Sequence, residues 1–425
     1  MHELTTLIKN DMVPALGVTE PGAVAFCVST AKEQAHGELR SLKLILNSGM
    51  YKNGFTCGIP HCDHFGSVYA AALGYVAGKA EKGLLCLENV TEEDLKAAKD
   101  LVKSGKISVE LGEITSRIYI EAELITDEDR VTVVAEKAHT NLTKISVNGK
   151  VVLDKKEKSE GTEEEVLPLI HRYTLEQLFA YAKNVPVGEI AFVKKAYDMN
   201  MALFYEGLNS GRMSFVQALT EINGGEIFSK DEEKTAALLC GGAIEARVMG
   251  LDLPAMSITG SGAHGIIATL PLLASQKICG YTEEALYRAT VLSYLVCMYI
   301  KEYSGKLSAF CGCGIAAGTG MACGLCLMKG GDVASAARTI NNMASSITGM
   351  ICDGGNQGCA MKGIAATAAA FRSAQLALKG AFVDAIHGIN GLSPEDTMRN
   401  MGLIASPGMT ATEKTIVEIQ RSKGI

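Results

Sequence analysis

The sequence has no tryptophan and no run of five basic residues, and its formal net charge is −7 at pH 7. A nucleic-acid surface needs a basic stripe or patch, so that class of partner is excluded. The first residues, MHELTTLIKNDMVPAL, lack the long apolar core of a secretion signal. A cytoplasmic, reducing location is therefore expected, and disulfides are not. No glycine-rich stretch is followed by Lys-Ser or Lys-Thr, which removes the phosphate-loop reading. There is no internal repeat and no low-complexity tract. Residues 309–328 carry no charge over a span of membrane-helix length. They are dense in glycine and cysteine and have no Trp, Tyr or Arg belt, so a buried helix is expected there and a membrane span is not.

What is present is a long, ordinary globular composition. Its 425 residues, 48% hydrophobic and 20% charged, suffice for two or three domains with a large core. Residues 1–35 read as helical, with Leu4, Leu7 and Ile8 on one face and Pro21 able to open a second helix. Residues 41–48 alternate as a half-buried strand does, and 51–66 read as a loop rich in Gly, Pro, Asn and His. Helical patterns follow near 67–80 and 92–104, the second capped by Thr91 with Asp94 three residues on. From 106 to 155 the period becomes two, giving four strand segments, with a tight hairpin marked by Asn148-Gly149. The charged stretch 154–166 reads as an exposed linker. After residue 168 the patterns are helical, at 174–184, 187–208, 231–249, 264–279, 282–303, 313–328, 331–349 and 361–380. The expected class is α+β: a large all-α domain (168–425), and a smaller mixed α/β domain (36–167) inserted after N-terminal helices (1–35) that pack on the catalytic domain.

Thirteen cysteines, an odd number, cannot all pair internally. Most suit core packing, because a free thiol behaves as a small hydrophobe. Two metal readings compete in the C-terminal half. Cys311, Cys313, Cys323 and Cys326 offer four thiolates for zinc, but Cys323 and Cys326 fall inside one apolar helix, where core packing is the better account. Alternatively, one of the Cys311-Gly-Cys313 pair joins Cys352 and Cys359, which lie in a Gly-, Asp- and Asn-containing loop. A loop can curl around a cube of iron and sulfide. Three thiolates leave one iron open, a soft Lewis acid that accepts a thiolate. Three polar patches interrupt apolar surroundings: Thr19-Glu20-Pro21, His139-Thr140-Asn141 and the 259–265 stretch TGSGAHG. The last precedes an apolar helix, so its N–H groups can bind a carboxylate.

Six ordered segments carry a resemblance: PALGVTEPGAVA (14–25), KNGFTCGIP (52–60), HTN (139–141), TGSGAHGI (259–266), LSAFCGCGIAAGTGMACG (307–324) and SITGMICDGGNQGCAMK (346–362). Across nearly its whole length the chain resembles the L-cysteine desulfidases, relatives of the iron–sulfur L-serine dehydratases. The resemblance implies an oxygen-labile 4Fe-4S cluster held by three cysteines, here Cys311, Cys352 and Cys359, with one iron open to substrate. It implies that the TEP, HTN and TGSGAHG segments line a pocket for a small amino acid. Thr19, Glu20, Asn53, Thr140, Asn141 and Gly262 are then the substrate-binding candidates. The chain departs from many relatives at Val18, where they carry Cys, and at His61-Cys62-Asp63, where Gly-Thr-Gly is common. The second departure bears on substrate choice if that loop borders the pocket. No small regulatory domain of the kind found in some serine dehydratases is recognisable.

The implied reaction is β-elimination of L-cysteine to pyruvate, ammonia and hydrogen sulfide, without pyridoxal phosphate. His264 and His139 are the candidate bases. Glu20 suits the substrate ammonium, and Ser261 and Asn141 suit its carboxylate. L-serine dehydration on the same cluster is the near alternative. A non-catalytic metal-binding or sensor protein is the alternative of another class. The resemblance and the large apolar helical half point to a homodimer.

Overall fold

The computed structural model describes residues 1–155, 167–305 and 307–423. Most of the expected linker, 156–166, lies outside the described residues. The α+β expectation holds. A six-stranded sheet is followed by a large array of helices.

The strands among the described residues are β1 (Val13–Leu16), β2 (Leu39–Leu46), β3 (Ile107–Leu111), β4 (Tyr119–Thr126), β5 (Arg130–Glu136), β6 (Leu142–Val147), β7 (Lys150–Asp154) and β8 (Pro254–Ser257). The large sheet has the order β3-β2-β4-β5-β6-β7, with only β2 and β3 parallel. Strict alternation of burial along β4 shows why the period-two pattern was readable there: one face is core and the other is not. The β6–β7 turn has Asn148 and Gly149 both at positive φ, as a type I′ hairpin requires. Helix Thr19–Glu33 is buried along nearly its whole length, with the sheet on one side and helix Ser67–Val76 on the other. Its residues Ala23 to Val28 and Ala31 belong to the sheet's hydrophobic core. Leu4 and Ile8 belong to the second core, which fills the helical array.

Three features depart from the sequence reading. The first is a two-stranded ribbon: β1 pairs antiparallel with β8, Val13 opposite Ser257 and Leu16 opposite Pro254. Residues 1–35 are thus not wholly helical, and a strand does occur after residue 168. Four residues are too few to display a period, and each strand exists only because the other, some 240 positions away, pairs with it. Second, helices Ser214–Ile222, Pro394–Leu403 and Thr410–Ser422 were not anticipated, and 187–208 is broken into a short helix, a 3₁₀ turn and helix Lys194–Asn209. Third, the loop expected at 51–66 begins inside a short helix, Ser48–Asn53. The cap at Thr91 and Asp94 forms as a reciprocal capping box. The uncharged stretch becomes a π-helical turn, Cys313–Ala317, running into helix Gly318–Met328. Among the described residues no helix is long and apolar enough to cross a membrane.

Candidate active site

The β1–β8 ribbon is what assembles the site. It sets Asp11, at the end of helix Glu3–Asp11, beside the turn that follows β8, where Asp11 accepts a hydrogen bond from the Thr259 N–H. That turn bends sharply, with Thr259 and Gly260 at φ 51° and 75°, and Ser261 then caps helix Gly262–Cys279. On the other side of the ribbon, helix Thr19–Glu33 starts against the same turn: Thr19 Oγ1 donates to the Gly260 carbonyl at 3.3 Å. The start of the π turn at Cys313 faces them across the cavity. Helix starts carry unsatisfied N–H groups and partial positive charge, so their convergence favours an anion between them.

Between these starts lies a cavity of ≈ 270 Å³ whose lining includes Glu20, Asn53, His139, Ser261, His264, Lys301, Cys313 and Cys352. Ile118, Leu307 and Phe310 supply its apolar wall. Asn53 Nδ2 donates to Glu20 Oε1 at 2.8 Å, and His139 Nε2 lies 3.8 Å from the same oxygen. Burial by itself would raise the Glu20 carboxyl, but His139, the Asn53 amide and the Arg247 guanidinium hold it down at about 2. Glu20 is therefore a buried carboxylate. His139 Nε2 is buried and has no hydrogen-bond partner in the protein.

His264 is of a different kind. Burial lowers it to about 3, helped by the Lys301 and Arg247 cations and only partly opposed by Asp11. Its Nδ1 bonds Thr259 Oγ1, which itself donates to the Ile258 carbonyl at 2.8 Å. That arrangement puts the ring proton on Nδ1 and leaves Nε2 as an acceptor. A Cβ at Gly312 would lie 2.9 Å from that Nε2, so the free nitrogen faces the CGC segment.

The three expected thiols come together through backbone pairing. Phe310 and Ile351 form a two-residue bridge: the Cys311 N–H donates to the Met350 carbonyl at 3.0 Å, and the Cys352 N–H to the Ala309 carbonyl at 2.6 Å. Cys359 starts helix Gly358–Leu378 a turn further on. Its hydrogen bond with Cys313 and its burial push the Cys311 thiol well up, and burial together with Cys352 and Cys311 pushes Cys359 up to about 12, against the pull of Lys362. The three thiols therefore share one electrostatic neighbourhood, with Lys362 as a common cation. Among the described residues no three His, Cys, Asp or Glu side chains sit close enough to share a single metal ion. Cys323 and Cys326 are wholly buried within their helix, so core packing accounts for them.

Of the expected residues, Glu20, Asn53, His139, Ser261, His264 and Cys352 line the cavity. Three of four others serve behind it. Thr19 bridges the Gly260 carbonyl and Arg247 Nη2. Thr140 is exposed. Asn141 closes the turn that presents His139, donating from Nδ2 to the Glu136 carbonyl at 3.0 Å; a short amide is readily taken by its own turn. Gly262 makes room, because a Cβ there would lie 2.5 Å from Arg247 Nε. The loop His61-Cys62-Asp63 does not border the cavity: His61 pairs with Asp252 and Asp63 with Lys99. Val18 packs against Gly355, beside the Cys352 loop, within 2.9 Å of where a Cβ would stand. The sequence reading missed Asp11, Lys301 and Arg247. Lys301 and Arg247 are buried, but each shares its helix with other charges, Glu302 beside Lys301 and Glu245 two residues before Arg247, so nothing in the sequence set them apart.

The sequence that builds this site matches a family model and known sequences. The chain belongs to the serine dehydratase alpha chain family, which matches residues 81–418. It is 39% identical over 424 residues to a UPF0597 protein of Clostridium botulinum, covering 98% of this chain and 97% of that one. A UPF0597 protein of Caldanaerobacter subterraneus subsp. tengcongensis is 36% identical, covering 99% and 98%. One of Clostridioides difficile is 34% identical, covering 97% and 98%.

Proposed function

We propose that the protein is an iron–sulfur lyase of the serine dehydratase type that eliminates the β-substituent of a small amino acid, with L-cysteine as substrate. One observation carries the reading: a cavity of amino-acid size sets a buried carboxylate and a buried ammonium beside cysteine thiols. A zwitterion needs both charges, and a β-elimination needs a site for the leaving group next to them.

The donor set fits an iron–sulfur cluster. Cys311, Cys352 and Cys359 are soft donors, the first two on the bridged segments and Cys359 in the first turn of helix Gly358–Leu378, with Lys362 and Lys52 nearby to offset negative charge. A cube of iron and sulfide is wider than one ion, so its thiolates need not stand within reach of a single point. Bound there with one iron free of protein ligands, a 4Fe-4S cluster supplies a soft Lewis acid for the leaving sulfide.

The chain's own groups would do the rest. Glu20 accepts the substrate ammonium, with Asn53 holding the carboxylate in place. Lys301 and the helix start at Ser261 take the substrate carboxylate. His139 removes the Cα proton with Nε2, and Glu20, 3.8 Å away, pairs the imidazolium that forms. His264 stays neutral and accepts a hydrogen bond at Nε2. Elimination gives aminoacrylate, whose hydrolysis yields pyruvate and ammonia. Leu307, Phe310 and Ile118 keep bulk water from the reacting carbon.

The test is anaerobic purification, determination of iron and sulfide, and assay of sulfide and pyruvate from L-cysteine beside pyruvate from L-serine. Equal sulfide and pyruvate, lost in air and in Cys352→Ala, is the expected result. Pyruvate from L-serine alone would make the protein a dehydratase on the same groups, and no product from either with an intact cluster would overturn the reading.

A further inference from the structure

We infer that the C-terminal helix Thr410–Ser422 is a clamp on the end of helix Ser48–Asn53, which carries Asn53, with Glu413 and Gln420 as positioning residues. Lys52 directly precedes Asn53, and its side chain is fully buried. Its ammonium reaches 2.7 Å to Glu413 Oε2 and 2.9 Å to the Ser308 carbonyl. About two turns further along the same helix, Gln420 Nε2 donates to the Asp353 carbonyl at 2.8 Å and to the Lys52 carbonyl at 3.4 Å. A single amide thus ties the end of the helix that carries Asn53 to the loop that carries Cys352. The Gly355 N–H donates to the Asn53 carbonyl at 3.3 Å and closes the arrangement.

What these contacts hold is the side chain of Asn53. Its Nδ2 is 2.8 Å from Glu20 Oε1, and its Oδ1 is 3.8 Å from Cys352 Sγ. Asn53 therefore stands between the carboxylate proposed for the substrate ammonium and a thiol proposed for the cluster. A buried ion pair is a weak source of net stability, since an apolar pair of similar volume would do as well. Its distinctive property is direction. The ammonium must point at Glu413 and Ser308, which fixes the backbone from which Asn53 projects. Glu413 and Gln420 touch neither substrate nor cluster ligand; they act through Lys52 and Asn53.

The kinetic part of this inference rests on the lyase reading, and the structural part does not. The experiment uses the anaerobically purified full-length protein and three variants: Gln420→Ala, Glu413→Gln, and the double variant Lys52→Met with Glu413→Leu. Amide hydrogen exchange at residues 52–55 and 353–355 is measured together with KM and kcat for L-cysteine and L-serine. In Gln420→Ala and Glu413→Gln, exchange should rise at those two segments and not across the fold. KM should rise on the order of 10- to 100-fold with a smaller change in kcat, as displacement of a binding group predicts. The double variant should regain melting temperature without regaining KM. Unchanged exchange in Gln420→Ala, or wild-type KM in the double variant, would overturn the clamp. If the wild type turns over neither amino acid, the lyase reading falls, and the exchange measurement alone decides the clamp.

Discussion

Replacing Glu20 by Gln tests the electrostatics of the cavity most directly. Burial opposes the Glu20 charge, yet His139, Asn53 and Arg247 together lower the carboxyl from 4.5 to about 2. That difference corresponds to roughly 3 kcal/mol in favour of the ionised, folded state. Because the folded value is the depressed one, this stability is fully present above pH 4.5 and is lost as pH falls toward 2. Glu20→Gln keeps the shape of the side chain and removes the proton-linked part. The assay is urea unfolding of the metal-free protein, wild type against variant, at a series of pH values from 6 down to the acid limit of the fold. The stability gap between them should be constant above pH 5. Below about 4.5 it should narrow by about 1.4 kcal/mol per pH unit. A gap that stays constant through pH 3.5 would refute the argument, because the carboxylate would then be no better stabilised in the fold than in the unfolded chain.

Three further outcomes are expected. Iron per chain should fall sharply in Cys311→Ala, Cys352→Ala and Cys359→Ala and persist in Cys313→Ala; retention in Cys311→Ala with loss in Cys313→Ala would exchange the two. With iron retained, His139→Gln should lower kcat by roughly 10²–10⁴, while His264→Gln lowers it far less; the opposite order would make His264 the base. Gly262→Ala places a methyl 2.5 Å from Arg247 Nε, and overpacking of this kind costs about 1–3 kcal/mol; a melting temperature equal to wild type would show that Arg247 can move aside at no cost.

How much of this was legible depends on the range of the interactions involved. The sheet was readable because its central strands β2 and β4 bury alternate residues, which writes a period of two into the sequence. The Thr91 cap and the Asn148-Gly149 turn were readable because their chemistry closes within four residues. The ribbon of β1 and β8 was not, since neither strand has a reason to form without the other. The same divide runs through the site. Glu20, His139 and His264 were visible as polar residues in apolar surroundings. The partners that set their behaviour were not visible: Arg247 behind Gly262, Lys301 beside His264, and Lys52 locked to Glu413.

By itself the sequence determined the α+β class, the succession of its sheet strands and most of its long helices, the identity of the polar and thiol-bearing segments and, through six ordered motifs, the family. Only the tertiary structure decided which of those segments meet. Residues 11, 20, 53, 139, 264, 301 and 352 reach one cavity because a ribbon between residues 13 and 257 and a bridge between 310 and 351 bring their backbones together. Those pairings are made by main-chain groups that every residue carries, and so they leave almost no mark in the side-chain code.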